Sequence, residues 1–399
     1  MLIGVVGKAN VGKSTFFKAA TLAEVEIANY PFVTIKANEG VGFVKVDCAD
    51  KDFKIQCQPK HGHCTNNIRF IPIKMLDVAG LVPGAHQGKG MGNQFLDDLR
   101  QADALIHVVD ISGSTNEKGE PVNPGSYDPA NDIKFLEEEL DFWILGLIQK
   151  GWEKFSRGAQ QVHADIHNAV ASHLSGLGIK EEIVGDIISK TGLKEKKIIE
   201  WEYDDLLNLA KNIRRRNKPM IIACNKIDVP GAWDTFDRIK SEFPDHRLLA
   251  CSAECELALK EAASHGWIRY LPGENMLDVI KPDALSEQQK QGIDYIRKNV
   301  LSKYGNTGVQ KVIDDGVFKL LNLIAVYPVA TNNLQDKDGN VLPDCFLVPN
   351  GTTALEFAFK VHTDIGNNFI RAIDLRTKQI IGKEHVLKNG DVVEIVADK

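Results

Sequence analysis

Apolar residues along this chain fall into two patterns, short continuous runs and stripes that recur at spacings of three and four. Leu2-Ile3-Gly4-Val5-Val6, Ala104-Leu105-Ile106-His107-Val108-Val109-Asp110 and Met220-Ile221-Ile222-Ala223-Cys224, the last led in by Pro219, belong to the first. Runs of this length read as buried strands of a parallel sheet. His107 is then most simply a satisfied core histidine. A helix is expected over 15–22, directly after the first strand. Between the second and third strands lies a long interval. It opens as a Pro-rich loop over 113–131 and then carries Leu136, Leu140, Trp143, Ile144, Leu147, Ile148, Trp152 and Phe155 as an amphipathic stripe. Further helices are expected over 164–177, 181–190 and 196–216. Residues 128–216 therefore read as an inserted helical subdomain, because connections this long are usually functional or independently folded.

The pattern stays mainly helical over 257–322, a connecting segment broken at Pro272-Gly273 and Pro282, and then turns to strands. Leu323 to Val329 is one. Cys345 to Ala358 reads as strand, turn and capped helix, and Asn389-Gly390 reads as a hairpin-type turn before the alternating strand that ends the chain. These features suit a β-grasp unit over 323–399. The expected fold class is α/β: a mostly parallel domain over 1–127 and 217–256, with the helical insert and the β-grasp appended.

Composition narrows the class. A length of 399 residues is too great for one core and suggests two or three domains. With 43% hydrophobic and 26% charged residues, and no repeat or low-complexity tract, the chain is not disordered. Its net charge of −6 provides no global cationic field, so any RNA contact must be local. There is no run long enough to span a bilayer and no basic leader with a cleavage site, which leads to the expectation of a cytoplasmic protein without membrane contact. Seven cysteines, an odd number, argue against a secreted disulfide framework.

The chemistry begins immediately after the first strand. Gly7-Lys8-Ala9-Asn10-Val11-Gly12-Lys13-Ser14 matches G-x-x-x-x-G-K-[ST], with Thr15 opening the helix. Glycines let backbone N–H groups turn inward around a phosphate, and the helix N-terminus adds its dipole. Lys13 would reach the β- and γ-phosphates and the Ser14 hydroxyl would ligate Mg²⁺. Thr34, within Tyr30-Pro31-Phe32-Val33-Thr34-Ile35, sits where a switch segment would give Mg²⁺ a second hydroxyl. Asp77 ends an apolar run as a metal-holding carboxylate does, and Gly80 three residues on can bring its N–H to the γ-phosphate. Asn225-Lys226-Ile227-Asp228 follows the third strand as N-K-x-D. A carboxylate there accepts from both N1–H and the exocyclic amine of guanine, whereas adenine would leave it unpaired. Cys251-Ser252-Ala253 would offer the Ala253 N–H to the guanine O6. In this order the pieces predict a GTP- and GDP-binding domain.

Asn29-Tyr30-Pro31-Phe32, Asp77-Val78-Ala79-Gly80-Leu81-Val82 and Gly84-Ala85-His86-Gln87-Gly88-Lys89-Gly90-Met91-Gly92 resemble the Obg-like translation-factor GTPases, particularly the YchF subfamily. The last eighty or so residues resemble their TGS domain. The resemblance implies slow GTP hydrolysis as a conformational switch, and a contact with the ribosome or rRNA through the TGS domain or the helical insert. Many YchF relatives lack the acidic end of N-K-x-D and prefer ATP, while this chain keeps Asp228. An ATP-hydrolysing protein and a nucleotide-bound scaffold that hardly hydrolyses are the alternatives. Leu81 favours the scaffold, since it occupies the position where many GTPases carry a water-orienting glutamine. His86 and Gln87 are within reach of that role, although an exposed loop accounts for them more simply. Asn10 resembles the asparagine of K⁺-activated relatives, in which the ion replaces an arginine finger; the plainer reading is that Asn10 caps the turn.

Two clusters stay outside this scheme. Arg214-Arg215-Arg216 closes a helix, where a basic last turn complements the dipole, with an rRNA phosphate contact as the rival reading. Cys48, Cys57 and Cys64 enclose His61 and His63. Three thiols and an imidazole suffice for tetrahedral Zn²⁺, but the spacing is not C-x-x-C, and buried free thiols are the simpler account.

Overall fold

The computed structural model describes residues 1–22, 38–78, 98–162, 165–175, 179–329, 334–336 and 339–398. Seven strands form the main sheet: β1 (Leu2–Val6), β2 (Glu39–Asp47), β3 (His63–Thr65), β4 (Ile68–Asp77), β5 (Ala104–Asp110), β6 (Met220–Asn225) and β7 (Arg247–Ala250). They run in the order β2-β4-β1-β5-β6-β7, with β3 also paired to β4. Strands β4, β1, β5, β6 and β7 are parallel, while β2 and β3 are antiparallel to β4. The β2–β4 hairpin is long because its register holds without a break from Glu39↔Leu76 to Asp47↔Ile68.

Alternation along the central strands divides the core. Ile3, Val5, Ile106, Val108, Ile221 and Ala223 face the helix Lys13–Thr21, whose Phe16, Ala19 and Ala20 are buried there. Val309, Val312, Ile313 and Val317 complete the same cluster. They come from the stretch that the sequence suggests is a connector, which also contains a short hairpin, β8 (Ile268–Tyr270) with β9 (Leu277–Val279). The opposite face buries Leu76 and Leu105 against the helices Ala130–Gln149 and Tyr203–Asn217 through Leu136, Leu140, Leu209 and Ile213. The insert thus shares a core with the sheet.

Inside the insert the expected stripe is two helices rather than one, Ala130–Gln149 and Trp152–Gln161, divided where Gly151 takes φ 75°. The helix expected from 196 begins only at Tyr203, where Glu202 and Asp205 form a capping box. Trp201, just before it, stacks on Trp152 at 5.6 Å between centroids. Of the three consecutive arginines, Arg214 is buried. Its guanidinium donates to Asp141 at 2.6 Å and Glu137 at 2.7 Å, tying the two packed helices together, so it is not available to phosphate. Burial works to raise the Glu137 carboxyl, but a hydrogen bond from His246 and the Arg214 charge outweigh it and hold the group down at about 2.

A second sheet has the order β11-β10-β14-β12-β13, built from β10 (Leu323–Val329), β11 (Phe346–Pro349), β12 (Phe369–Asp374), β13 (Gln379–Ile381) and β14 (Val392–Ala397). Strands β10 and β14 are parallel, and the helix Ala354–Val361, opened by a Thr353/Glu356 capping box, buries Phe357 on Val326 and Val393. This is a β-grasp arrangement. Asn389-Gly390 does not make a hairpin, in contrast to the sequence expectation. The hairpin joins β12 to β13, and Asn389 Oδ1 instead accepts from the Ala325 N–H at 2.8 Å. Among the described residues no helix is long and apolar enough to cross a membrane.

Removing one partner of a buried ion pair strands the other, at a cost of about 3–5 kcal/mol. Arg214→Ala should lose about that much in urea denaturation, and Arg215→Ala, at an exposed position, less than about 0.5 kcal/mol. Because the Glu137 carboxyl lies below its ordinary 4.5 in the fold, its contribution is complete above that pH. It should be lost as the pH falls towards about 2, visible as early hydrogen exchange in the insert helices.

Candidate nucleotide site

Parallel strands leave their C-terminal ends free to build a site in the crevice beyond them. Beyond β1, Gly7 takes φ 154° and Gly12 φ 90°. A Cβ at Gly7 would stand 2.6 Å from the Val108 carbonyl oxygen, and one at Gly12 only 2.3 Å from the Asn225 amide nitrogen. Both positions therefore exclude side chains for reasons of space as well as conformation. The helix Lys13–Thr21 starts directly after Gly12, so the loop and the helix N-terminus border the same crevice.

The loop is held from three sides. Asn225, at the end of β6, donates its amide N–H to the Val11 carbonyl at 2.9 Å, while its Oδ1 accepts from the Ala253 N–H at 2.9 Å. Lys8 Nζ reaches Asp132 at 2.8 Å and the Thr115 carbonyl at 3.1 Å, and lies over the Tyr127 ring at 3.8 Å from its centroid. Asn10 adopts φ 62° and donates its amide N–H to the Gly119 carbonyl at 2.8 Å, so it pins the loop to the 113–131 segment.

Residues from all three regions line one cleft of about 690 Å³: Lys8 to Asn10, Gly12 to Thr15, Asn225, Lys226, Asp228, Val229, Ser252 and Glu254. Lys13 is ion-paired with Asp77, which stands at the end of β4 opposite Val5 of β1. Lys226 takes the left-handed conformation, φ 66°, and its Nζ binds Asp110 at 2.8 Å and Ser114 Oγ at 3.2 Å. Burial works against charge on Asp110, but the bonds from Lys226, Ser112 and Ser114 outweigh it and keep the carboxyl below its usual range. Ser252 caps the helix Ala253–Ser264, accepting from Cys255 N–H at 3.3 Å. Asp228 is half-buried, and its carbonyl accepts from the Tyr295 hydroxyl at 3.1 Å.

The structure brings together Gly7, Asn10, Val11, Gly12, Lys13, Ser14, Thr15, Asp77, Asn225, Lys226, Asp228, Ser252 and Ala253. Thr34, Gly80, Leu81, His86 and Gln87 lie outside the described residues. Sequence reasoning missed Lys8 with Asp132 and Tyr127, the Asp110 partner of Lys226, and the support of the 251–253 turn by the connector. There Ser252 N–H donates to the Thr307 carbonyl at 2.8 Å. Gly308, at φ 86°, lies so near Ala250 that a Cβ would meet its carbonyl oxygen at 2.0 Å. His107 is fully buried, its Nδ1 without a hydrogen-bond partner among the described residues, and burial drives it down to about 3, so it is a neutral core imidazole.

The cysteines depart from expectation. Sγ of Cys48, Cys57 and Cys64 do converge, but the group whose ligand atoms all lie within 4.8 Å of one another is completed by Asp50, not by His61 or His63. The His63 ring instead stacks on Phe70 at 4.4 Å.

A phosphate loop between a parallel strand and a helix, a carboxylate at the neighbouring strand end and N-K-x-D at a third define a P-loop GTPase domain, here joined to a β-grasp. Residues 2–141 match the family described as 50S ribosome-binding GTPase, 223–331 the Obg-like GTPase YGR210-like, G4 motif-containing domain, and 334–397 the TGS domain. The chain is 48% identical over 397 residues to an uncharacterized GTP-binding protein of Methanocaldococcus jannaschii, covering 99% of each. A GTP-binding protein crystal structure from Pyrococcus horikoshii superposes with a TM-score of 0.80 at 40% identity, covering 100% of both chains. The ribosome-binding ATPase YchF of Escherichia coli O157:H7 is 26% identical over 98% of each chain. The chain belongs to the Obg-like, YchF-related GTPases with a C-terminal TGS domain.

Replacing Asn225 with alanine leaves the Val11 carbonyl and the Ala253 N–H without their partner in a buried place. Asn225→Ala should therefore lower the stability of nucleotide-free protein by about 2 kcal/mol in urea melts.

Proposed function

We infer that this protein binds GTP with Mg²⁺ and hydrolyses it slowly to GDP, using the cycle as a switch on the ribosome. The observation that carries this reading is the convergence of the phosphate loop, Asp228 and the Ser252–Ala253 turn on one cleft, with Asn225 bonded to two of the three. In this reading the Asp228 carboxylate pairs with the guanine edge, the Ala253 N–H lies on the O6 side, and Lys226 packs its stem along the base while its Nζ stays on Asp110. Lys13, now on Asp77, exchanges that carboxylate for phosphate oxygens. Ser14 and Asp77 offer the hard hydroxyl and carboxylate oxygens that Mg²⁺ accepts, and Thr34 is proposed as the third contributor. When bound, the ion neutralises charge developing on the phosphates. Gly80 gives its N–H to the γ-phosphate.

Leu81 has no group to orient water, so intrinsic turnover is slow. Asn10 is proposed to help: its amide nitrogen is held by the Gly119 carbonyl, and its Oδ1 is an oxygen of the kind that ligates K⁺. The ribosome is supported by the likeness to the ribosome-binding ATPase YchF and by the TGS domain. The relative is an ATPase by name, and the ATP reading differs from ours in one observable, which nucleotide displaces a fluorescent GTP analogue.

Competition binding on nucleotide-stripped protein should rank GTP and GDP above ATP. Asp228→Asn should weaken GTP binding at least about 100-fold and gain affinity for xanthosine triphosphate; unchanged guanine preference would remove the base assignment. Single-turnover hydrolysis should be faster in K⁺ than in Na⁺ at equal ionic strength, and Asn10→Ala should abolish that difference. A rate that stays at the uncatalysed level with ribosomal subunits present would favour the scaffold.

A further inference from the structure

We propose that Cys48, Asp50, Cys57 and Cys64 form a tetrahedral Zn²⁺ site that clasps the edge of the main sheet to the C-terminal domain. The site is independent of the nucleotide cleft and of the function proposed for it.

The chain delivers the four groups from β3 and from the segment that joins β2 to it, beside the start of β4. β2 ends at Asp47, paired with Ile68, and Cys48 follows at once; Cys64 lies in β3 opposite Arg69. Asp50 and Cys57 come from the turn between, closed by the Ile55 N–H donating to the Asp50 carbonyl at 3.1 Å. Cys48 Sγ and Cys57 Sγ are 3.6 Å apart, and Cys64 Sγ is 3.5 Å from Asp50 Oδ2. Zinc–sulfur bonds of about 2.3 Å and a zinc–oxygen bond of about 2.0 Å at tetrahedral angles give edges of about 3.8 Å between sulfurs and about 3.5 Å from sulfur to oxygen. These two edges match, and all four ligand atoms lie within 4.8 Å of one another, which leaves room for one ion at the centre. A disulfide would need the two sulfurs at about 2.05 Å.

Asp50 is the decisive residue. It is 0% exposed, and its carboxylate has no cationic partner among the described residues. Its contacts are the Asn67 amide, which donates to Oδ1 at 3.0 Å, the Cys57 N–H donating to Oδ2 at 3.4 Å, and the Cys64 thiol. Buried carboxylates are paired or bind metal. The Asn67 bond fixes one oxygen and turns the other towards the sulfurs, in the way outer partners orient metal ligands. Four anionic ligands overbalance a divalent ion, and the buried Arg69 guanidinium, which donates to the carbonyls of Leu342 and Pro343 rather than to a carboxylate, supplies compensating positive charge. Thiolates with a single carboxylate suit zinc better than Mg²⁺ or Ca²⁺, which take oxygen.

The consequence is mechanical. The same turn donates the Gln58 N–H to the Val341 carbonyl at 2.8 Å and the Lys60 N–H to the Pro343 carbonyl at 3.0 Å. Cys48 and Cys57 share a core cluster with Tyr327, Leu342 and Val392 of the C-terminal domain.

The test uses untagged full-length protein under a reductant that does not bind metal. Elemental analysis should find about one zinc per chain, falling below about a tenth in the Cys57→Ser/Cys64→Ser variant. Chelator-stripped wild type titrated with Co²⁺ should develop intense visible bands and thiolate charge transfer of a tetrahedral site; this reading does not depend on any variant folding. Asp50→Asn should bind Co²⁺ at least about tenfold more weakly while keeping the thiolate band. Stripping should speed hydrogen exchange at Gln58 and Lys60 and leave β5 and β6 protected. Four results would overturn the proposal: wild type that takes up neither ion, a double variant that keeps its zinc, a Cys48–Cys57 disulfide in metal-free protein, or exchange unaltered by stripping.

Discussion

One side-chain amide holds the nucleotide site together. Asn225 is the last residue of a central strand, and its two polar atoms are both used: the nitrogen on the phosphate loop at Val11, the oxygen on the turn at Ala253. The bonds are buried, so breaking either exposes a backbone group to an environment that cannot satisfy it. Gly12 is obligatory for the same reason, since only a missing Cβ lets the loop come this near to the amide. The phosphate loop and the 251–253 turn thus have a common anchor at the end of β6, and the distance between them is set by the strand rather than by flexible loops.

Around that fixed point the structure uses charge to hold each loop in place. Lys8 on Asp132 and Lys226 on Asp110 fasten both walls of the cleft to the 110–132 region. The connector contributes a further support, Thr307 behind Ser252. The helical insert and the connector both complete cores of the main sheet, one on each face. Neither is an appendage, because each covers apolar sheet residues that would otherwise be exposed.

The phosphate loop, N-K-x-D and the insert's amphipathic helices were legible because each is written in contiguous residues with a local physical cause. What escaped has partners far away in sequence. Nothing near Lys8 announces Asp132, and nothing near Ser252 announces Thr307. The β2–β4 hairpin was obscured because its strands carry glycine, proline and lysine among the apolar residues, as at Gly40, Gly42, Pro72 and Lys74. In the cysteine cluster, histidines adjacent to a cysteine looked like ligands, whereas alternation along β3 sends His63 to the aromatic face on Phe70 and leaves the sulfurs to meet Asp50. A lone aspartate after a strand carries no sequence signal. Asn389-Gly390 misled for a related reason: the dipeptide specifies a tight turn but not which strands the turn joins.

Strand β4 connects the two chemically distinctive regions. At its beginning Ile68 and Arg69 are gripped between β2 and β3, beside the sulfur cluster and against the carbonyls of residues 342 and 343. At its end Asp77 faces Lys13 in the phosphate cradle. Ten extended residues span about 30 Å. Hydrogen bonding to β2 along its whole length, with β3 at one end and β1 at the other, prevents the two ends from moving independently. The seat of the C-terminal domain and the carboxylate that meets the phosphate-loop lysine therefore belong to one rigid element. Displacement of Asp77 along the strand axis would have to break the ladder or carry Arg69, and the backbone it holds, along with it.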